Sequence, residues 1–186
     1  MEKRKEILVN ALKDKESQVR KCAADALEKL EIRARLDVIA EKIEKSEMLE
    51  KIRAIYALMD LKGSNVNALL ATALKDPSED VRAAAVRVLG GKGEGVIPFL
   101  VEVLKDESPI VVRGVVEVLG DFEDSRLLGP LMGTLKNPDS GVVERALEAI
   151  SRLGDKRAEE AMFHFAEKGN CRMRSLAIKA LGEMDR

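Results

Sequence analysis

The single histidine, His164, lies in AMFHFAEK, and the only two cysteines are Cys22 and Cys171. A metal site needs several such ligands brought together, and a nucleophilic Ser or Cys needs a base beside it. Every arrangement of that kind would have to draw on the same histidine, so His164 reads as an ordinary helix residue. Neither cysteine has a partner at CxxC spacing, so the two read as reduced thiols. The acidic pairs Glu159-Glu160 and Glu79-Asp80 stand near expected helix starts, where carboxylates complement the helix macrodipole. One further stretch, GGKGEG at 90–95, could cradle a phosphate if a strand preceded it and a helix followed. No strand pattern precedes it. Glycines there read instead as the stop of one helix and the turn into the next, Gly90 being a C-terminal residue that reaches the left-handed conformation cheaply. The residue types therefore imply no catalytic group, no metal and no cofactor.

The elements that position these residues recur along the chain. The segments VRKCAADALEKL (19–30), EKIRAIYALMDL (50–61), VRAAAVRVLGGK (81–92), VVRGVVEVLGDF (111–122), VVERALEAISRL (142–153) and MRSLAIKALGEM (173–184) align with one another. They begin at Val19, Glu50, Val81, Val111, Val142 and Met173, at intervals of 31, 31, 30, 31 and 31 residues. Four places in stand Ala23, Ala54, Ala85, Val115, Ala146 and Ala177; eight places in stand Leu27, Leu58, Leu89, Leu119, Ile150 and Leu181. Seven places before each segment stand Leu12, Ile43, Leu74, Leu104, Leu135 and Ala166, and eleven before stand Leu8, Ile39, Leu70, Leu100, Leu131 and Met162. Spacings of 4, 7 and 8 keep residues on one side of an α-helix. Each repeat is expected to be two amphipathic helices, A then B, with a tight turn between them. Asp76-Pro77-Ser78-Glu79, Asn137-Pro138-Asp139-Ser140, Ser108-Pro109, Asn170 and Ser46 supply the punctuation expected at the start of helix B.

Six such pairs use the whole length, at about 1–31, 32–62, 63–93, 94–123, 124–154 and 155–186. The expected fold is all-α, an α-α superhelix of six helix pairs in a single domain. A pair of helices cannot bury its own apolar side, so it must stack on its neighbours. Aromatic residues make up only 3% of the chain, so its core must be built from Leu, Ile, Val and Ala.

Charge narrows the partners. With 32 basic against 33 acidic residues, no global field draws in nucleic acid or an anionic membrane. Residues 63–124 hold 6 basic and 11 acidic groups, and aromatics for base stacking are scarce, which argues against nucleic acid. No run of about 18 apolar residues suggests a membrane span. The polar start MEKRKE does not read as a signal peptide, so a cytoplasmic location is expected. Sparse Gln and His beside abundant Lys and Glu hint at a thermophilic source.

DPSEDVRAAAVRVLG at 76–90, RLGDKRAEEA at 152–161 and KALG at 179–182 resemble HEAT repeats of the short type, about 31 residues long. That type is similar to the repeats of phycobilin-lyase accessory subunits and of many archaeal and bacterial scaffold proteins. The resemblance implies a solenoid and is nearly silent on activity. It also implies that an Asp in the A–B turn and an Arg early in helix B link neighbouring repeats. Asp14, Asp76 and Asp106 match the acidic place, and Arg20, Arg82 and Arg174 the basic one. Lys45, Asn137 and Lys168 interrupt the first row; Lys51, Val112 and Val143 interrupt the second.

The side of helix B turned away from the core is where a solenoid presents a continuous binding surface. It is mostly charged or small, with one exception. Ile52, Tyr56 and Met59 form an apolar i, i+4, i+7 stripe in the second pair, flanked by Lys21, Arg87 and Arg113. Such a stripe is either a docking patch for a protein or peptide or the buried side of a helix rotated about its axis, which Glu50 at a core place would favour. The function expected is a non-enzymatic scaffold binding a protein or peptide on the concave helix-B surface. The resemblance alone adds a second reading, an accessory subunit of a lyase that handles a tetrapyrrole; nucleic-acid binding is a third. The final pair ends soon after Leu181 and is served either by a charged outer side or by a contact with a second copy of the chain.

Overall fold

The structure, a computed structural model, describes residues 2–184. It is all-α, eleven α-helices with no strand among the described residues. The chain divides into two compact units, Met1–Ala54 and Ile55–Arg186.

The first unit holds α1 (Glu2–Ala11), α2 (Ser17–Lys45) and most of α3 (Met48–Tyr56). Here the structure corrects the sequence reading: helix B of the first pair and helix A of the second are one helix of 29 residues, with no turn near residue 31. The cause is local. Every other joint between pairs holds a glycine (Gly63, Gly90–Gly95, Gly120, Gly154), whereas LEKLEIRARLDVIA from Leu27 to Ala40 is made of helix formers without Gly or Pro. Ser46 closes α2, its N–H donating to the Lys42 carbonyl, and so does not cap the start of α3 as expected. Leu12 and Val19, expected in the core, are exposed, while Ala23, Leu36, Ile39 and Ile43 are buried.

In the second unit the expected pairs appear in order. The A helices are α4 (Ser64–Ala73), α6 (Ile97–Val103), α8 (Leu128–Thr134) and α10 (Glu159–Lys168). The B helices are α5 (Glu79–Gly90), α7 (Pro109–Gly120), α9 (Ser140–Leu153) and α11 (Cys171–Glu183). A single 3-10 turn leads into each of α6, α8 and α10. Each B helix packs on its own A helix and on the next B helix, so α5, α7, α9 and α11 form one layer. This is a helical solenoid. Its core is the set of rows legible in sequence, including Val81, Val111 and Val142, then Ala85, Val115 and Ala146, then Leu89, Leu119 and Ile150, all fully buried.

The turns follow from side-chain chemistry. Asp76 and Asp106 each accept the N–H two residues on (2.9 and 2.8 Å), and Asn137 does the same for Asp139 (2.9 Å). The amide of Asn137 thus replaces the carboxylate in shape but not in charge. Asp139 and Asn170 then cap α9 and α11 at 2.9 Å each, and Ser108 caps α7 at 3.5 Å. Ser78 stands at the start of α5 without a side-chain cap bond.

Gly90 ends α5 without a left-handed backbone; in this stretch only Gly93 has positive φ (79°). The role of Gly90 is space. A Cβ there would lie 3.1 Å from the Val118 methyls, and at Gly120 it would lie 2.8 Å from the Ala149 Cβ. Small residues in this row let neighbouring B helices approach.

Candidate functional site

On the outer side of the B layer, α5, α7, α9 and α11 surround an open depression of about 470 Å³. Arg87 and Arg113 stand at one end, Glu144, Glu148 and Arg172 at the other, with Gly114, Glu117, Gly141 and Arg145 between. Two of the residues singled out in sequence, Arg87 and Arg113, therefore share one site. Arg113 lies across Gly141, where a Cβ would meet its Cδ at 3.1 Å. Its Nε donates to the Pro109 carbonyl at 3.2 Å and lies 3.6 Å from Asp139. At the far end, Arg172 bridges Glu144 at 3.1 Å and Glu148 at 3.2 Å, and Arg145 reaches Glu148 at 3.4 Å. These exposed pairs hold side chains in place more than they stabilise the fold.

Tyr56 joins this site from the side: its hydroxyl accepts from Arg87 Nη1 at 3.2 Å. Tyr56 is half-buried and ends α3, whose buried side is Ala54 and Ile55. Met59 lies beyond the helix, in a turn closed by Leu58 N–H to Ile55 and Met59 N–H to Tyr56 (both 3.0 Å), and is 51% exposed. The expected i, i+4, i+7 stripe is therefore not one helical stripe. Ile52 is half-buried and Lys21 exposed, both in the first unit.

Sequence reasoning missed Lys92. Its Nζ donates to the carbonyls of Leu58 (2.8 Å), Met59 (2.6 Å) and Leu61 (2.8 Å). These carbonyls follow the C-terminus of α3, so a lysine from the glycine-rich stretch of one pair anchors the turn after helix B of the pair before. Loss of solvent pushes its pKa down, against the pull of Asp60 and with the push of Lys62. A signal existed: the same place holds Leu30, Leu61, Phe122 and Leu153 in other pairs, so a lysine there breaks an apolar row. GGKGEG thus carries a cation committed to backbone carbonyls.

The expected link between repeats is realised in full at Arg82. Arg82 Nε and Nη2 grip Asp106 Oδ2 and Oδ1 at 2.7 and 2.8 Å, while Nη1 donates to the carbonyls of Asp76 and Pro77. The Asp106 hydrogen bond raises the Arg82 pKa, against the effect of burial. Arg20 makes only the turn half of this pattern, to the carbonyls of Asp14 and Lys15 at 2.8 Å.

His164 is exposed on α10, edge-to-face with Phe165 at 5.3 Å. Among the described residues no three His, Cys, Asp or Glu side chains gather where they could hold a metal ion. None of their helices is long and apolar enough to cross a membrane.

With this geometry in view, residues 66–151 match the family described as HEAT repeats. Among solved structures, the chain is similar to human deoxyhypusine hydroxylase (22% identity, TM-score 0.63, covering 86% of this chain and 66% of that one). It is also similar to a designed armadillo repeat protein in complex with the peptide (KR)4 (17%, TM-score 0.61, 95% and 98%). A third likeness is to the complex of CpcE and CpcF of phycocyanin lyase from Nostoc sp. (20%, TM-score 0.52, 98% and 77%). At these identities the likeness is of fold. No curated protein matches the sequence.

Proposed function

We propose that this helical solenoid is a non-enzymatic scaffold that docks a protein or peptide on the outer face of its B helices. The observation that carries the reading is the depression between Arg87 and Arg172. Charges of both signs line its walls, from Arg87 and Arg113 at one end to Glu144, Glu148 and Arg172 at the other. The closer packing of B helices, each on the next, supports placing this face on the concave side of the second unit. The mixed signs suit a segment that itself carries both, and the scarcity of aromatic residues again speaks against nucleic acid. The likeness to a peptide-bound designed repeat protein supports the mode of binding without specifying the ligand.

Lys21 and Ile52 remain proposed contacts of the first unit taken by itself; in the second unit Tyr56, whose hydroxyl meets Arg87, and Met59 are the proposed apolar contacts. The lyase-subunit reading rests on likeness of fold alone.

The test is affinity capture from lysate of the source cells with wild type, a Tyr56→Ala variant and an Arg87→Glu/Arg113→Glu double variant. A direct partner of this face is retained by wild type, weakened by Tyr56→Ala and lost on charge reversal, with circular dichroism unchanged. Retention by the double variant excludes the face. A large loss of stability in Tyr56→Ala shows that the residue serves packing instead.

A further inference from the structure

Two grooves of one kind open between successive A helices in the middle of the second unit. Successive B helices pack closely on one another and successive A helices only sparsely, so the array is splayed on its A side. The first groove, about 450 Å³, lies between α4 and α6; the second, about 520 Å³, lies between α6 and α8. Lys75 and Lys105 line the first, and Lys105 and Lys136 line the second. These lysines stand just past the C-termini of α4, α6 and α8, where a cation complements the helix dipole. That placement leaves their ammonium groups exposed and without a carboxylate partner among the described residues.

The grooves differ in charge. The first also carries two carboxylates, Glu102 and Asp106, the latter held by Arg82. One repeat on, the corresponding places are Gly133 and Asn137, and no carboxylate lines the second groove. Asn137 keeps the turn through its bond to the Asp139 N–H, so only charge is lost there. Gly133 lies within α8, where glycine costs helix stability relative to alanine. A Cβ on it would meet nothing within 4 Å, so packing does not require the glycine. Between the two lysines the floor is apolar, with Val101, Leu104 and Pro130 half-buried. Leu104 belongs to a row that is covered at Leu74, which is 7% exposed. The second groove therefore joins an uncovered strip of apolar side chains to two unpaired cations.

We propose that the groove between α6 and α8 docks an acidic segment of a partner protein, one with Asp or Glu beside an apolar side chain. The apolar side chain lies on Val101, Leu104 and Pro130, and the carboxylates meet Lys105 and Lys136. Nucleic acid fits this groove less well. Two lysines neutralise few phosphates, no aromatic residue lines the groove for stacking, and residues 63–124, which supply its α6 wall, hold 11 acidic groups against 6 basic. The groove shares no lining residue with the depression between Arg87 and Arg172, so the two proposals stand or fall independently.

The experiment is selection of a random phage-displayed peptide library on the immobilised full chain, followed by fluorescence-anisotropy titration of the selected peptides. Peptides that set Asp or Glu beside an apolar residue are expected. Gly133→Glu gives this groove the carboxylate that the first has at Glu102, and Lys136→Glu reverses one of its two cations. Each should weaken binding about tenfold or more. Both sites are exposed, and unchanged circular dichroism confirms the fold. Lys75→Glu, which touches only the first groove, and the Arg87→Glu/Arg113→Glu double variant should bind as wild type does. A selection that enriches no such peptides overturns the proposal, as do peptides indifferent to both Gly133→Glu and Lys136→Glu. An equal loss in Lys75→Glu overturns it by making the effect one of net charge. Loss in the double variant overturns it by moving the peptides to the B helices, and a single-stranded oligonucleotide that binds as tightly as the peptides overturns the choice of partner.

Discussion

Arg82 of α5 and Asp106, in the turn before α7, form a two-point ion pair at 2.7 and 2.8 Å with both side chains over nine-tenths buried. The third arm of the guanidinium closes the turn of its own pair through the Asp76 and Pro77 carbonyls. One side chain thus ties a turn to itself and one repeat to the next. Buried charges of this kind are weak evidence for net stability, but breaking one side is costly because its partner is left desolvated.

Arg82→Ala is therefore expected to cost about 3–5 kcal/mol in urea unfolding of the second unit. Replacing Asp106 by Leu in the same background should recover part of the loss, since no buried charge then remains alone. A cost near zero for Arg82→Ala would show that the pair contributes nothing.

Lys92→Met keeps most of the side chain's length but removes three hydrogen bonds to carbonyls. The expected cost is about 1–3 kcal/mol, at the range for leaving buried groups unsatisfied. Hydrogen exchange should quicken first at the amides of Leu58, Met59 and Leu61, which close the turn the lysine anchors. Uniform acceleration across the second unit would place the role of Lys92 elsewhere.

Two glycines predict opposite signs. Gly120→Ala puts a methyl 2.8 Å from the Ala149 Cβ, backed by the Ala149 Cα at 3.3 Å, so two helices must part. Overpacking of this kind costs about 1–3 kcal/mol. Gly133, inside α8, has nothing within 4 Å, so Gly133→Ala should stabilise by roughly 0.5–1 kcal/mol through helix propensity alone. Thermal unfolding of the two variants should move in opposite directions.

Asp155 caps a 3-10 turn, and the Arg157 side chain, then the Arg157 N–H, hold its carboxyl down from 3.8 to about 2. The folded value lies below the unfolded one, so what this pair contributes is complete above pH 3.8 and is lost as pH falls toward 2. Carboxyl-resolved NMR titration should show Asp155 protonating below ordinary surface carboxylates. Arg157→Ala should return it to the ordinary range; an unchanged titration would exclude Arg157 as the cause.

The helix pairs, their period and the buried rows were legible because burial in a repeat array is imposed identically every 30 or 31 residues. Leu89, Leu119 and Ile150 are interchangeable in their surroundings, so their pattern survives in one dimension. The absent turn in α2 was also written locally, in a joint without Gly or Pro. What tertiary structure alone decided were the choices that depend on a neighbour. Arg20 and Arg82 look alike in sequence, but only Arg82 faces a carboxylate in the next pair, because Lys45 stands where Asp106 would. Leu12, Val19 and Ile178 belong to core rows and are exposed, because burial belongs to a contact and not to a residue type. Lys92 finds its partners 31 to 34 residues back along the chain, where only the stacking of one pair on another brings three carbonyls to a single ammonium.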